Sequence, residues 1–114
     1  AQIILADAPL DLAIEGALWG AFGSAGQRCT ATSRLIVEES VHNAVVRRLV
    51  REAKRLKLGP GLKKGTQVGP LINAGQTKRV VDYIRIGKTE GIPPISTGPK
   101  SRTVMQPWPD AALG

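Results

Sequence analysis

Sulfur and aromatic rings are scarce in this chain. Its 114 residues hold one cysteine, one methionine, two tryptophans, one tyrosine and one phenylalanine. A single cysteine excludes an internal disulfide, a usage that suits a reducing, cytoplasmic setting. Aromatics at 4% leave a core of aliphatic side chains. No apolar run approaches the roughly 18 residues of a membrane span, so no membrane association is read from the chain. The opening Ala1-Gln2-Ile3-Ile4-Leu5 lacks the basic start of a secretion signal. It also lacks Met, which leaves a removed initiator or a non-native start. No metal site is read from the sequence.

Positive charge, by contrast, is abundant. Sixteen Lys and Arg against nine Asp and Glu give a formal charge of +7. Such a balance draws anions, nucleic acid included, at low salt. Eight of the 16 basic residues lie between Arg47 and Lys64. No aromatic residues interleave with them and no nucleic-acid motif accompanies them, so a solvated basic helix face is the expected form. A basic binding or structural module is the alternative reading. Hydrophobic residues at 42% and the chain length suit one globular domain.

The pattern predicts α/β architecture. Gln2 to Ala6 is a short apolar run that suits a strand covered on both faces. Asp7 offers an N-cap and Pro9 a first-turn proline. Leu10, Ala13, Ile14, Ala17, Leu18 and Ala21 then fall on one helical face, with Gly16 and Gly20 permitting close packing and Trp19 off the stripe, against a neighbouring element. Gly23 to Gly26 stops that helix. Ser33 to Glu38 predicts a second strand. Ser40 caps a helix whose apolar stripe is Val41, Val45, Leu49, Ala53 and Leu56, closed by Gly59-Pro60-Gly61. Asn73 caps a third helix over 74–88, with Val80, Val81 and Ile84 on its inner side. Five prolines crowd residues 93–109, and residues 92–114 read as a Pro-rich, irregular or partner-held tail after a domain at 1–91. The order strand–helix–strand–helix–helix predicts a partial parallel sheet with a right-handed crossover. Two parallel strands make a poor sheet alone, so strands from elsewhere, a second copy or another partner are expected to cover it.

The small residues Gly23, Ser24, Ala25 and Gly26 stand just before Cys29, as a closely approached backbone requires. Phe22-x-x-x-Gly26-Gln27-x-Cys29 resembles the active-site signature of the NAD(P)-dependent aldehyde dehydrogenase superfamily. The flanks agree: residues 4–17, the run Cys29-Thr30-Ala31-Thr32-Ser33-Arg34-Leu35-Ile36-Val37, then Lys57-Leu58-Gly59-Pro60-Gly61 and Val68-Gly69-Pro70-Leu71-Ile72-Asn73 with Gln76, Arg79 and Val80. The resemblance covers about residues 2–91 and looks closest to the semialdehyde branch. It implies part of the catalytic domain, with Cys29 as the nucleophile that forms a thiohemiacetal and then, after hydride passes to the nicotinamide, a thioester that is hydrolysed. It also implies the Cys29 N–H as an oxyanion donor, and Phe22, Gly26 and Gln27 as the turn that presents the sulfur. Arg28 receives no role.

The departures are as informative. The family's general-base Glu-Leu-Gly-Gly motif, its cofactor domain, its oxyanion asparagine and its Glu-x-Phe-Gly-Pro segment have no counterpart in these residues, and residues 92–114 do not follow the family. A frameshift, an early stop or gene decay would each produce such a tail. No NAD or NADP is expected on the chain alone, and no aldehyde turnover. His42, near a helix start, reads as an exposed residue rather than a substitute base. Two further readings of Cys29 stay open: cofactor-free acyl transfer, and an inert thiol.

Overall fold

Parallel pairing between two short strands organises the first part of the chain in the computed structural model, which describes residues 1–91. Strand β1 (Gln2–Ile4) pairs with β2 (Leu35–Val37), with Gln2 opposite Leu35, Ile3 opposite Ile36 and Ile4 opposite Val37. Helix α1 (Leu10–Phe22) makes the crossover between them, and α2 (Glu39–Ala53) follows β2. The pairing continues past the strand ends: the Gln2 N–H donates to the Arg34 carbonyl at 3.0 Å and the Glu38 N–H to the Ile4 carbonyl at 2.9 Å. The Glu38 carboxylate then accepts from the Ala6 N–H at 2.8 Å and from the Ser40 hydroxyl at 3.1 Å. The predicted parallel α/β arrangement is therefore present.

The core of this unit is small and aliphatic, as the shortage of rings requires. Ile4, Ile14 and Val45 are buried, with Leu10, Ala13, Leu18, Val37, Val41 and Leu49 packed around them. Ile4 and Val37 thus point one strand face at α1 and α2. The alternation of side chains along a strand sends Ile3 and Ile36 to the other face, where they are 66% and 56% exposed. The expectation that β1 is covered on both faces is corrected here: only one face is packed. Among surface pairs, Asp11 on α1 accepts from Arg48 on α2.

Element boundaries also differ from the sequence reading. Each strand is three residues, shorter than predicted. Asp7 does not cap α1, because Pro9 takes the extended N-cap position at φ −66°, ψ 101° and the helix begins at Leu10. Ser40 does not cap α2: the helix begins at Glu39, and Ser40 bonds back to the Glu38 side chain instead. Helix α2 ends at Ala53, one turn before Leu56.

A second unit begins at Leu58. Leu58 and Val68 form an isolated parallel bridge, and the Gly59 N–H donates to the Val68 carbonyl at 3.2 Å. The Thr66 hydroxyl closes the intervening loop on the Pro60 carbonyl at 2.9 Å. Helix α3 (Ala74–Thr89) follows. Its predicted cap is present: the Asn73 side chain accepts from the Gln76 N–H at 2.8 Å, satisfying a donor that the helix start leaves open. The i,i+4 pair Lys78–Asp82 supports its exposed side at 2.6 Å. The predicted inner residues Val80 and Ile84 are 37% and 50% exposed, and α3 has no buried residue. The Pro-rich tail at 92–114 lies outside the described residues.

Candidate active site

The segment from Gly20 to Thr32 turns the chain back on the C-terminal end of α1. Three consecutive residues make the turn in the left-handed region: Ser24 at φ 52°, Ala25 at φ 54° and Gly26 at φ 72°. For Ser24 and Ala25 that conformation costs roughly 1–2 kcal/mol each, since a Cβ crowds the following carbonyl. Backbone strain of this kind persists only where the surroundings hold it, and it gathers at functional sites. Gly26 avoids the cost and a clash, because a Cβ there would stand 3.0 Å from the Ala21 carbonyl oxygen. The Gln27 N–H closes the turn on the Ser24 carbonyl at 3.0 Å.

Beyond the turn the chain is pinned to α1. The Thr32 N–H donates to the Gly20 carbonyl at 2.9 Å. A side chain at Gly20 would put its Cβ 2.3 Å from the Thr32 hydroxyl oxygen and 3.1 Å from the Thr32 Cβ. Glycine inside a helix weakens it; here it admits the strand-bound segment. Gly16 plays a milder part: a Cβ there would stand 3.8 Å from the Gln2 amide nitrogen, which donates to the Ala13 carbonyl at 3.0 Å.

Between those two fixtures stands Cys29, exposed and unbridged. Its backbone N–H meets no acceptor among the described residues. The remaining predicted site residues are its neighbours along the turn. Phe22 is the last residue of α1 and 37% exposed. Gly26 supplies the left-handed corner, and Gln27 is exposed. The chemistry available is that of an accessible thiol with an open amide donor beside it. A thiol that has lost its proton is a strong nucleophile, and a free N–H is suited to charge that develops on an attacked carbonyl oxygen. His42 is exposed in the first turns of α2, as expected of a solvated histidine.

Arg28 and Trp19 escaped the sequence reading as a pair. The Arg28 guanidinium carbon lies 3.7 Å from the Trp19 ring centroid, and its Nη2 donates to the Trp19 carbonyl at 3.0 Å. The tryptophan thus does pack against a neighbouring element, although 67% of it stays exposed. No periodicity signals such a contact, since the two residues lie on either side of an irregular turn.

Elsewhere the basic face of α2 is partly neutralised. Arg48 pairs with Asp11, while Arg51 and Arg55 both reach Glu52, at 2.8 and 3.1 Å. The hydrogen bond from Arg51 is the main reason the Glu52 carboxyl titrates below its ordinary range, with Arg55 adding to it. Among the described residues no group of three or more His, Cys, Asp and Glu is placed to hold a metal ion. No described helix is long and apolar enough to cross a membrane.

Residues 1–108 match the aldehyde dehydrogenase family, a match that runs past the boundary drawn after residue 91. An aldehyde dehydrogenase of Didymella fabae is 44% identical over 91 residues, 80% of this chain and 18% of that protein. A malonate-semialdehyde dehydrogenase of Lacticaseibacillus casei is 42% identical over 89 residues, 78% of this chain and 18% of that protein. Among solved structures, a betaine aldehyde dehydrogenase double mutant from Staphylococcus aureus, in complex with NAD+ and with a BME-modified cysteine, superposes with a TM-score of 0.77. It is 36% identical and covers 79% of this chain and 18% of its own. The chain therefore spans under one-fifth of the length of these relatives.

Proposed function

This chain belongs to the aldehyde dehydrogenase family, and on that premise we propose that it carries the family's nucleophile, Cys29, on a turn built to expose it. The observation that carries the reading is the left-handed turn at Ser24–Gly26, which ends α1 and leaves the thiol and the N–H of Cys29 both open. In the proposed step the Cys29 thiolate Sγ bonds to the aldehyde carbonyl carbon. The carbonyl π pair moves to oxygen, and the Cys29 N–H donates a hydrogen bond to that oxyanion. The product is a thiohemiacetal once the oxygen takes a proton. Two findings support the assignment. The Staphylococcus aureus relative has a cysteine that accepts covalent modification, and Cys29 is the one cysteine available here.

Oxidation beyond that adduct is not assigned to these residues, because they do not suit a nicotinamide dinucleotide. A dinucleotide's pyrophosphate is ordinarily held by a glycine-rich turn between a strand and a helix N-terminus. The β1–α1 connection is Leu5-Ala6-Asp7-Ala8-Pro9, with no glycine, and Asp7 brings negative charge to it. We accordingly propose that the described residues by themselves do not oxidise aldehydes and depend on family segments supplied from elsewhere for cofactor and general base. The single packed face of the β1–β2 pair accords with that dependence. A semialdehyde is the proposed substrate class, in line with the Lacticaseibacillus casei relative, and the cytoplasm the proposed location.

Incubating the purified chain with NAD or NADP and a panel of aldehydes tests this. No reduced cofactor is expected, whereas steady turnover refutes the inactive reading. Non-enzymatic nucleic-acid binding is the second reading, favoured by the +7 charge. Retention on DNA or RNA that fails to appear even at low salt removes it.

A further inference from the structure

We propose that Arg28 is a positioning residue, whose guanidinium clamps the Gly23–Thr32 loop to the end of α1 and so fixes where Cys29 stands. The proposal rests on the assignment of Cys29 as nucleophile and adds what holds that nucleophile in place. Four observations converge on the clamp. The guanidinium carbon stands over the Trp19 ring, 3.7 Å from its centroid. Its Nη2 donates to the Trp19 carbonyl at 3.0 Å, an oxygen that also accepts the Gly23 N–H at the helix end. Gly23 leaves the space for it, since a Cβ there would stand 3.2 Å from Nη2 and 3.5 Å from the guanidinium carbon. Finally, the Arg28 Nε is buried without a hydrogen-bond partner.

The orphaned Nε separates a clamp from a solvated arginine. A donor withdrawn from water without a partner is unfavourable, so the ring stack and the charge-assisted bond must more than offset that loss. A lysine ammonium can make either contact, but it lacks the planar fork that covers the ring while a second nitrogen reaches the carbonyl. Cys29 is the next residue in the chain, so the clamp sets the direction in which its backbone leaves the turn. The left-handed residues 24–26 and the Thr32–Gly20 bond hold the loop's two ends. Arg28 holds its middle.

The clamp also shields the Arg28–Cys29 peptide bond, because trypsin must draw the arginine side chain into its own pocket to cut there. The test follows the peptide that starts at Cys29 during limited trypsin digestion of the full chain, by mass spectrometry. Trp108→Phe serves as the background, so that indole signals come from Trp19. Trp19→Leu removes the ring and Arg28→Lys removes the planar fork, and both keep a tryptic residue at position 28. Cleavage after residue 28 is expected to rise about tenfold or more in both, the change in local opening that loss of such a contact gives. Trp19→Phe, which keeps a ring, is expected to restore protection. In Arg28→Lys the near-ultraviolet circular dichroism of the indole should fall while the far-ultraviolet spectrum holds, and iodoacetamide should alkylate Cys29 at a changed rate. Unchanged cleavage, alkylation and indole signal in Arg28→Lys overturn the proposal, and that variant decides if the leucine variant does not fold. None of these readouts involves an aldehyde. A thiol inert toward aldehydes, with the cleavage pattern intact, refutes the nucleophile and leaves the clamp standing.

Discussion

Exchanging the residue types of Ala25 and Gly26, one at a time, should move stability in opposite directions. Ala25 sits at φ 54°, ψ 30°, where its Cβ costs roughly 1–2 kcal/mol. Ala25→Gly removes that cost but gives the unfolded chain more freedom, worth about 0.4–1 kcal/mol against folding. The balance is a gain of about 0.5–1 kcal/mol. Gly26 stands one residue on, at φ 72°. Gly26→Ala incurs the same left-handed cost and places a methyl 3.0 Å from the Ala21 carbonyl oxygen. That oxygen belongs to backbone in the last turn of α1 and cannot rotate away. Against the smaller entropy of the unfolded alanine chain, the net loss is about 1–2 kcal/mol, and more if α1 frays in response. Urea unfolding followed by far-ultraviolet circular dichroism measures both, with the slope m held as a check that the same surface is exposed. Destabilisation by Ala25→Gly, or indifference to Gly26→Ala, refutes the turn geometry and with it the account of how Cys29 is presented.

Gly20→Ala gains about 1 kcal/mol of helix propensity, yet its Cβ meets the Thr32 side chain at 2.3 Å, and overpacking of that kind costs roughly 1–3 kcal/mol. The single variant should lose stability, and Thr32→Ala in the same chain should recover most of it; a double-mutant cycle without coupling contradicts the close approach. The Glu52 carboxyl is held below its ordinary value of 4.5, chiefly by its hydrogen bond from Arg51. A lowered folded-state value means stability that is present above the ordinary value and fades as pH falls through the folded one. Glu52→Gln should therefore flatten the acid side of a plot of urea midpoint against pH, by a small amount at this exposed site and less in high salt. An unchanged acid limb argues against the Arg51–Glu52–Arg55 cluster.

The order of elements was legible because long helices announce themselves through periodicity. The Leu10–Ala21 and Val41–Leu49 stripes became α1 and α2, and Asn73 proved a true cap. Caps chosen by residue type alone were less secure. Asp7 and Ser40 are good N-cap residues, but Pro9 fixed the start of α1, and Glu38, drawn to the Ala6 N–H, fixed that of α2. The apolar run at Gln2–Ala6 suggested burial on both faces, whereas the described chain packs only Ile4's side. At the candidate site, Phe22, Gly26, Gln27 and Cys29 could be named because together they carry the resemblance to the family's active-site signature. The left-handed Ser24 and Ala25 and the Arg28–Trp19 stack could not, since neither residue type nor spacing encodes an irregular turn. Gly16 and Gly20 were the visible clues that other groups come close to α1, and Gly20 is where the tight approach occurs.

Capture of an aldehyde by Cys29 is the central claim, and carbon-13 resonance spectroscopy reads it directly. A semialdehyde labelled at its carbonyl carbon is titrated into the chain, into the Cys29→Ala variant and into a short peptide spanning Gln27–Ala31. The account predicts a thiohemiacetal carbon signal for the chain at lower aldehyde concentration than for the peptide, and none for Cys29→Ala. An adduct no stronger than the peptide's, or one that survives in Cys29→Ala, contradicts it.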